Sequence, residues 1–233
     1  MHVLSALELN HNLILLFVKL NLTRYHHGVA KAKEVPCKRP YELGKRLEQS
    51  DRKRVAILTA ARKHLESNGM VELTMDALAR ESGVTRQTVH NLFGTKIGVL
   101  EALFDQLAVD AGMDRMRIVM QQNDPEAMLA GLVEVFTDFW AKDRLLIRRI
   151  HGIAAIEPEF GSAVEARNRR RLMAATRIVE RISGESSREK QKEKIAALWA
   201  LTSFEFFDAV AEGCGNVKDA AGIVLDLVNK GFL

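Results

Sequence analysis

An all-α fold is predicted for this 233-residue chain by three observations. Ala, Leu, Arg, Glu and Lys are abundant, prolines number only four, and apolar residues recur at three- and four-residue spacing with no Val-rich alternation. Hydrophobic residues at 47% and charged residues at 27% match a chain that buries a core rather than one that stays disordered.

The spacing predicts a first helix over 51–68, with Asp51 as cap and Val55, Leu58, Ala61 and Leu65 on its inner face; Gly69 ends it. Thr74 caps a short second helix to about Ser82, with Leu78 and Ala79 inward, before Gly83 permits a tight turn. Thr85 caps a third, barely two turns long, whose Val89 and Phe93 form an inward i, i+4 pair. Gly94 closes it, and Thr95 opens a fourth through Val99, Leu100, Leu103, Phe104 and Leu107. Asp124 and Pro125 read as N-cap and first position of a helix carrying Leu129, Leu132, Val133, Phe136, Phe139 and Trp140. Further helices fit 142–156, 158–182, 187–212 and 217–230, with Gly and Ser at 183–187 and Gly213 to Gly215 as breaks.

Charge is unevenly spread. Residues 36–96 hold twelve Lys/Arg against seven Asp/Glu, whereas 97–233 hold eighteen against twenty-one. A basic segment on a mildly acidic remainder points to a polyanion, with nucleic acid ahead of membrane. The apolar run Leu13 to Val18 falls well short of the roughly 20 residues that span a bilayer, and no Lys or Arg precedes it as an export signal requires. Two distant cysteines, Cys37 and Cys214, encode neither a disulfide scaffold nor a metal site, and match a reducing, cytoplasmic setting. His26 and His27 are read as solvent-exposed. Paired Glu-x-x-His motifs, a Gly-rich phosphate loop, a Gly-x-Ser-x-Gly elbow and a Cys/His cluster are all missing, so neither an enzyme nor a cofactor is expected.

The two short helices joined at Gly83 and supported by a preceding helix form a helix-turn-helix candidate. Ala79 is small where the helices approach, and Val84, Val89 and Phe93 are apolar where the second must dock. Arg86 and His90 lie one turn apart, as do Gln87 and Asn91. Four hydrogen-bonding side chains therefore project from a helix narrow enough for the major groove. Upstream, Lys38, Arg39, Lys45, Arg46, Arg52, Lys53 and Arg54 suggest a flexible basic arm able to lie along phosphates or to solvate the domain edge.

From Ile57 to Leu100 the chain resembles the DNA-binding domain of the TetR family of transcriptional regulators. The matching features are Ile57-Leu58 with Ala60-Ala61, the Thr74-x-x-x-Leu78-Ala79 entry, Gly83-Val84-Thr85 at the turn, and Phe93-x-x-Lys96. The resemblance implies base-edge or nearby contacts by Arg86, Gln87 and Asn91, and phosphate contacts by Thr74, Thr85, Thr88, His90 and Lys96. His90 and Leu92 depart from the family, which commonly has tyrosine at the first and an aromatic or histidine at the second. His64 stands where the family is apolar and is read as half-buried with a satisfied hydrogen bond.

The implied organisation is an N-terminal extension of unknown role (1–35), a basic arm (36–50), a helix-turn-helix domain (51–97) and a helical ligand-binding and dimerisation domain (98–233). In the last of these, Phe136, Phe139, Trp140, Ile147, Ile150, Ile153, Phe160, Met173, Trp199, Phe204 and Phe207 are candidates to line an apolar effector pocket. Arg144, Arg148, Arg149 and His151 are candidates to select an anion, and Arg167 to Arg171 reads as an exposed face. The last two expected helices, with Ile195, Leu198, Trp199, Leu201 and Thr202 and then Ile223, Val224, Leu227 and Val228, need an apolar partner that a second subunit would supply. The expected function is a ligand-responsive repressor, a homodimer on partly palindromic double-stranded DNA with an unidentified small-molecule effector. The alternative is an interaction protein whose degenerate helix-turn-helix no longer binds DNA.

Overall fold

The computed structural model describes residues 40–67, 73–182 and 187–232, with side chains from Leu47 onward. The N-terminal extension, His26 and His27, Cys37, Lys38, Arg39, Gly69 and the 183–186 break lie outside the described residues. So do the side chains of Lys45 and Arg46. The chain divides into two units, 1–51 and 52–233, the boundary falling within the first helix.

Every regular element among the described residues is helical. They are α1 (Pro40–Ser67), α2 (Met75–Ser82), α3 (Arg86–Phe93), α4 (Lys96–Asp110), a 3-10 turn (Met113–Arg115), α5 (Met116–Val119), α6 (Pro125–Lys142), α7 (Arg144–Ile156), α8 (Pro158–Ile182), α9 (Arg188–Leu201), α10 (Phe204–Cys214) and α11 (Val217–Phe232).

Helix α1 corrects two expectations. It starts at Pro40, not Asp51, so 40–50 is helix and not a flexible arm. Proline suits a first helical position, and the Glu, Leu, Lys, Arg and Gln residues that follow are strong helix formers. Its inner face is the expected one at Leu58, Ala61 and Leu65 but not at Val55. Val55 is exposed, while Ile57, Leu58, Ala60, Ala61, His64 and Leu65 are buried.

Helices α2, α3 and α4 begin at hydroxyl caps: Thr74 accepts from Ala77 N, Thr85 from Thr88 N and Thr95 from Gly98 N, each at 3.1 Å. Asp124 caps α6 through Glu126 N at 3.1 Å, with Pro125 at its first position as expected. Helix α5 rests on α6 at Gly131, where a Cβ would stand 2.7 Å from Val119 Cγ2.

The expected single helix over 187–212 is two. Thr202 Oγ1 donates back to Leu198 O at 2.8 Å, and Ser203, in extended conformation, accepts from Phe206 N at 3.1 Å and restarts the chain as α10. Adjacent hydroxyl side chains satisfy the backbone groups that the break exposes.

One apolar core runs from α1 to α11. Within it α6 packs on α11, α8 on α7 and α9, and α10 on α11. Two cross-links join α1 to the larger helical body. The Arg62 guanidinium bonds both Asp143 oxygens, and Arg149 of α7 donates to the Leu65 carbonyl in the last turn of α1.

Candidate nucleic-acid interface and effector core

Helices α2 and α3 are held by Gly83, whose left-handed φ of 67° closes α2 while Val84 N donates to Ala79 O at 3.0 Å. Ala77, Leu78 and Ala79 are buried on one side of the turn, and Val89 and Phe93 on the other. His64 is buried rather than half-buried. Its Nδ1 lies 3.3 Å from Glu81 Oε1, linking α1 to α2.

The remaining face of α3 is polar. Arg86 is 70% exposed, with only a 3.5 Å ion pair to an equally exposed Asp76. Gln87 Nε2 donates to Asn91 Oδ1 at 2.8 Å across one turn. Thr88 and Thr85 hydroxyls lie 2.9 Å apart at the helix start, where the first turn carries no acidic residue. His90 and Asn91 are exposed, Leu92 packs partly against the core, and Lys96 is half-buried at the first position of α4. Arg54 of α1 places its guanidinium 4.8 Å from the Phe93 ring centroid. Of the expected DNA-facing residues, Thr74, Thr85, Arg86, Gln87, His90 and Asn91 are exposed, while Thr88 and Lys96 are half-buried. The hydroxyls of Thr74 and Thr85 double as caps.

The second set converges around the α9–α10 break. Phe136, Phe139 and Trp140 are buried on α6, with Trp140 centred 4.5 Å from Phe139 and 6.0 Å from Phe136. Trp140 Nε1 donates to Thr202 O at 3.0 Å. His151 of α7 lies 4.7 Å from the Phe204 ring and edge-on to Trp140, and its Nδ1 meets Glu205 Oε1 at 2.9 Å. That hydrogen bond holds the Glu205 carboxyl down at about 2, against the opposing push of burial. An ionised Glu205 makes Nδ1 the protonated nitrogen of His151.

Two sequence expectations fail here. Arg148 is not part of the apolar set. It is exposed and holds Asp208 at 2.8 and 2.9 Å and Glu212 at 2.9 Å, beside Arg144, which reaches the same carboxylates. Burial pushes the Asp208 carboxyl up, but the two guanidiniums keep it below its ordinary value. Arg148 and Arg144 are therefore already matched in charge, and Arg149 is committed to Leu65 O. Met173 is likewise exposed rather than pocket-lining.

Conversely, Arg167 to Arg171 is an exposed face only in part: Arg169 is exposed, but Arg167 and Arg171 turn inward. Arg167 binds Asp105 of α4 at 2.7 and 3.0 Å with its guanidinium 5.5 Å from Phe104, and Arg171 is buried. Arg171 donates from Nη1 to Thr202 Oγ1 at 3.0 Å and to the Trp199 carbonyl. Its guanidinium lies 5.3 Å from the half-buried Trp199 ring and 5.9 Å from Phe136. Burial draws it down to about 10, despite the fields of Glu205 and Glu165. The signal for this was in the phase of α8. Phe160, Val164, Ala175 and Ile178 mark an inward stripe on which Arg171 falls in step.

Residues 57–103 match the family model described as bacterial regulatory proteins, tetR family. The chain is 26% identical over 160 residues to the HTH-type transcriptional regulator EthR of Mycolicibacterium smegmatis, a match spanning 68% of this chain and 72% of the relative. It is 29% identical over 83 residues to BetI of Agrobacterium fabrum, 36% of this chain and 40% of that one. In fold it is similar to a TetR transcription regulator from Haloarcula marismortui, with TM-score 0.62, 16% identity and coverage of 78% and 97%. It is also similar to NalD, the secondary repressor of the MexAB-OprM efflux pump in Pseudomonas aeruginosa, with TM-score 0.59, 18% identity and coverage of 79% and 98%. Proteins of this kind act by binding DNA and not by catalysis, and no helix among the described residues is long and apolar enough to cross a membrane. Residues 57–103 thus carry a helix-turn-helix of the tetR family, joined to a helical body similar in fold to TetR transcriptional regulators.

Proposed function

We propose that the protein is a ligand-responsive repressor that binds a partly palindromic operator as a homodimer. Residues 51–97 form the DNA-binding domain and 98–233 the effector and dimerisation domain. The observation that carries this reading is the exposed polar face of α3, formed by Arg86, Gln87, His90 and Asn91 on a helix whose first turn carries no acidic residue. Arg86, Gln87 and Asn91 read base edges; Thr74, Thr85, Thr88, His90 and Lys96 hold phosphates. Thr74 spends one oxygen lone pair on its cap and keeps its O–H to donate. Repression follows from occupancy, since a dimer covering the operator excludes other proteins from it.

Pairing is supported by α11, where Ile223 and Leu227 lie one turn apart at 39% and 40% exposure while Val224 and Val228 are buried within the protomer. Two reading helices multiply the specificity of one. Effector binding is assigned to the aromatic cluster of Phe136, Phe139, Trp140, His151 and Trp199. Selection of bound sequences from a random DNA pool tests the whole reading. Enrichment of a two-fold related motif is expected, and its absence leaves the interaction-protein alternative. In sedimentation at micromolar concentration a dimer is expected, and Ile223→Glu with Leu227→Glu should give a monomer. A monomeric wild-type protein overturns the pairing.

A further inference from the structure

Among the described residues four buried side-chain nitrogens lack a hydrogen-bond partner, and three of them belong to one cluster: Arg171 Nε, Trp199 Nε1 and His151 Nε2. Arg171 also forms no ion pair among the described residues. Glu205 and Glu165 act on it only through their fields, and Glu205 is engaged by His151. A guanidinium in this position has two partners for Nη1, none for Nε, and no carboxylate in ion-pair contact. Buried charges in proteins are ordinarily paired, and buried donors ordinarily matched. Among the described residues the side chain that breaks both rules lies near two aromatic rings, Trp199 and Phe136.

We propose that the effector is an apolar carboxylic acid whose carboxylate is received by Arg171 Nε and Trp199 Nε1, with its apolar body against Phe136, Trp140 and Trp199. This rests on the effector reading above and narrows it to a ligand class. A carboxylate supplies the missing countercharge and the missing acceptors together. A phosphate dianion suits the cluster poorly, because a single buried guanidinium beside the ionised Glu205 offers too little positive charge. A cation is disfavoured by Arg171 itself. Neutral apolar molecules leave both donors unmatched, which is the stronger form of discrimination. The Arg144–Arg148 pair is no competing receptor, since Asp208 and Glu212 already neutralise it.

The test uses the full chain and matched probes: the straight-chain acids from hexanoate to dodecanoate, benzoate, 1-naphthoate and indole-3-acetate, each beside its primary amide. Binding is read by quenching of Trp140 and Trp199 fluorescence and by thermal shift. At least one acid is expected to bind roughly tenfold to a hundredfold more tightly than its amide, the range of a charge-assisted hydrogen bond. In Arg171→Met, checked for fold by circular dichroism and operator binding, that preference should vanish. Arg171→Lys should keep part of it. If Arg171 only ties α8 to the α9–α10 break, acids and amides will bind alike in the wild-type protein. That result overturns the carboxylate assignment and leaves the effector reading standing. Binding by neither series overturns both, and an acid preference that survives Arg171→Met overturns the role of Arg171.

Discussion

The cross-link between Arg62 and Asp143 should respond asymmetrically to truncation. The Asp143 side chain is 10% exposed, whereas Arg62 keeps 37% in water and a second partner, Glu66, at 2.9 Å. Asp143→Ala therefore releases a guanidinium that resolvates and remains paired. The loss lies near the surface limit for ion pairs, about 1 kcal/mol. Arg62→Ala instead leaves a nearly buried carboxylate without its cation. A fully buried orphan costs about 3–5 kcal/mol, and some access to water reduces that here to about 2–3 kcal/mol. Urea unfolding at fixed protomer concentration measures both. With a slope of about 2.5 kcal/mol per M, the midpoint should fall by about 0.4 M for Asp143→Ala and by about 1 M for Arg62→Ala. Asp143 makes no side-chain cap bond to α7, so its truncation adds no helix-end penalty that would blur the comparison. Equal losses, or a greater loss for Asp143→Ala, would refute the reasoning.

Arg86→Ala should cost about 1–3 kcal/mol at the preferred operator and relax base preference, while Lys96→Ala should weaken all sequences alike and lower the salt slope by about one unit; competition binding at several salt concentrations separates them. Gly98→Ala should abolish operator binding in a retardation assay while leaving the helical body folded, because the added Cβ would stand 2.0 Å from the Phe93 carbonyl oxygen and force the α3–α4 turn apart. Undiminished binding by Gly98→Ala would contradict that geometry. Glu205, held at about 2 by His151, stabilises the fold at all pH above its ordinary value near 4.5, and that contribution fades as pH falls from there toward 2. Melting temperatures of wild type and Glu205→Gln should accordingly converge across that window, and a gap that stays constant with pH would contradict the assignment.

The helix-turn-helix was legible because its signals are local. A hydroxyl at each helix start, glycine at the turn and apolar residues four apart do not depend on distant parts of the chain. The α9–α10 break was hidden because residues 187–212 remain helix-forming throughout. Only the two hydroxyls of Thr202 and Ser203 mark it, and their role depends on Arg171 and Trp140 arriving from α8 and α6. Arg148 and Arg171 exchanged their expected places for the same kind of reason. Composition says that arginine faces water, but the phase of α8 turns Arg171 inward, and Asp208 and Glu212 on α10 draw Arg148 outward. Side-chain identity was the weaker guide and helical phase the stronger one.

Helix α8 also gives the proposed effector response a short physical route. Arg171 and Arg167 lie one turn apart on its inner face, the first among the aromatic rings and the second clamped to Asp105 of α4. Helix α4 begins at Lys96, directly after the reading helix. A second route starts from His151 on α7, two residues from Arg149 and its bond to the end of α1. Both routes pass through charged side chains with fixed hydrogen-bond geometry, which respond to a displacement by breaking rather than by flowing as apolar packing can. Coupling between effector and DNA of about 1–3 kcal/mol is of the same order as one partly buried ion pair. Rearranging a single clamp at Arg167 or Arg149 would therefore suffice, and by reciprocity the operator would weaken effector binding by the factor with which the effector weakens the operator.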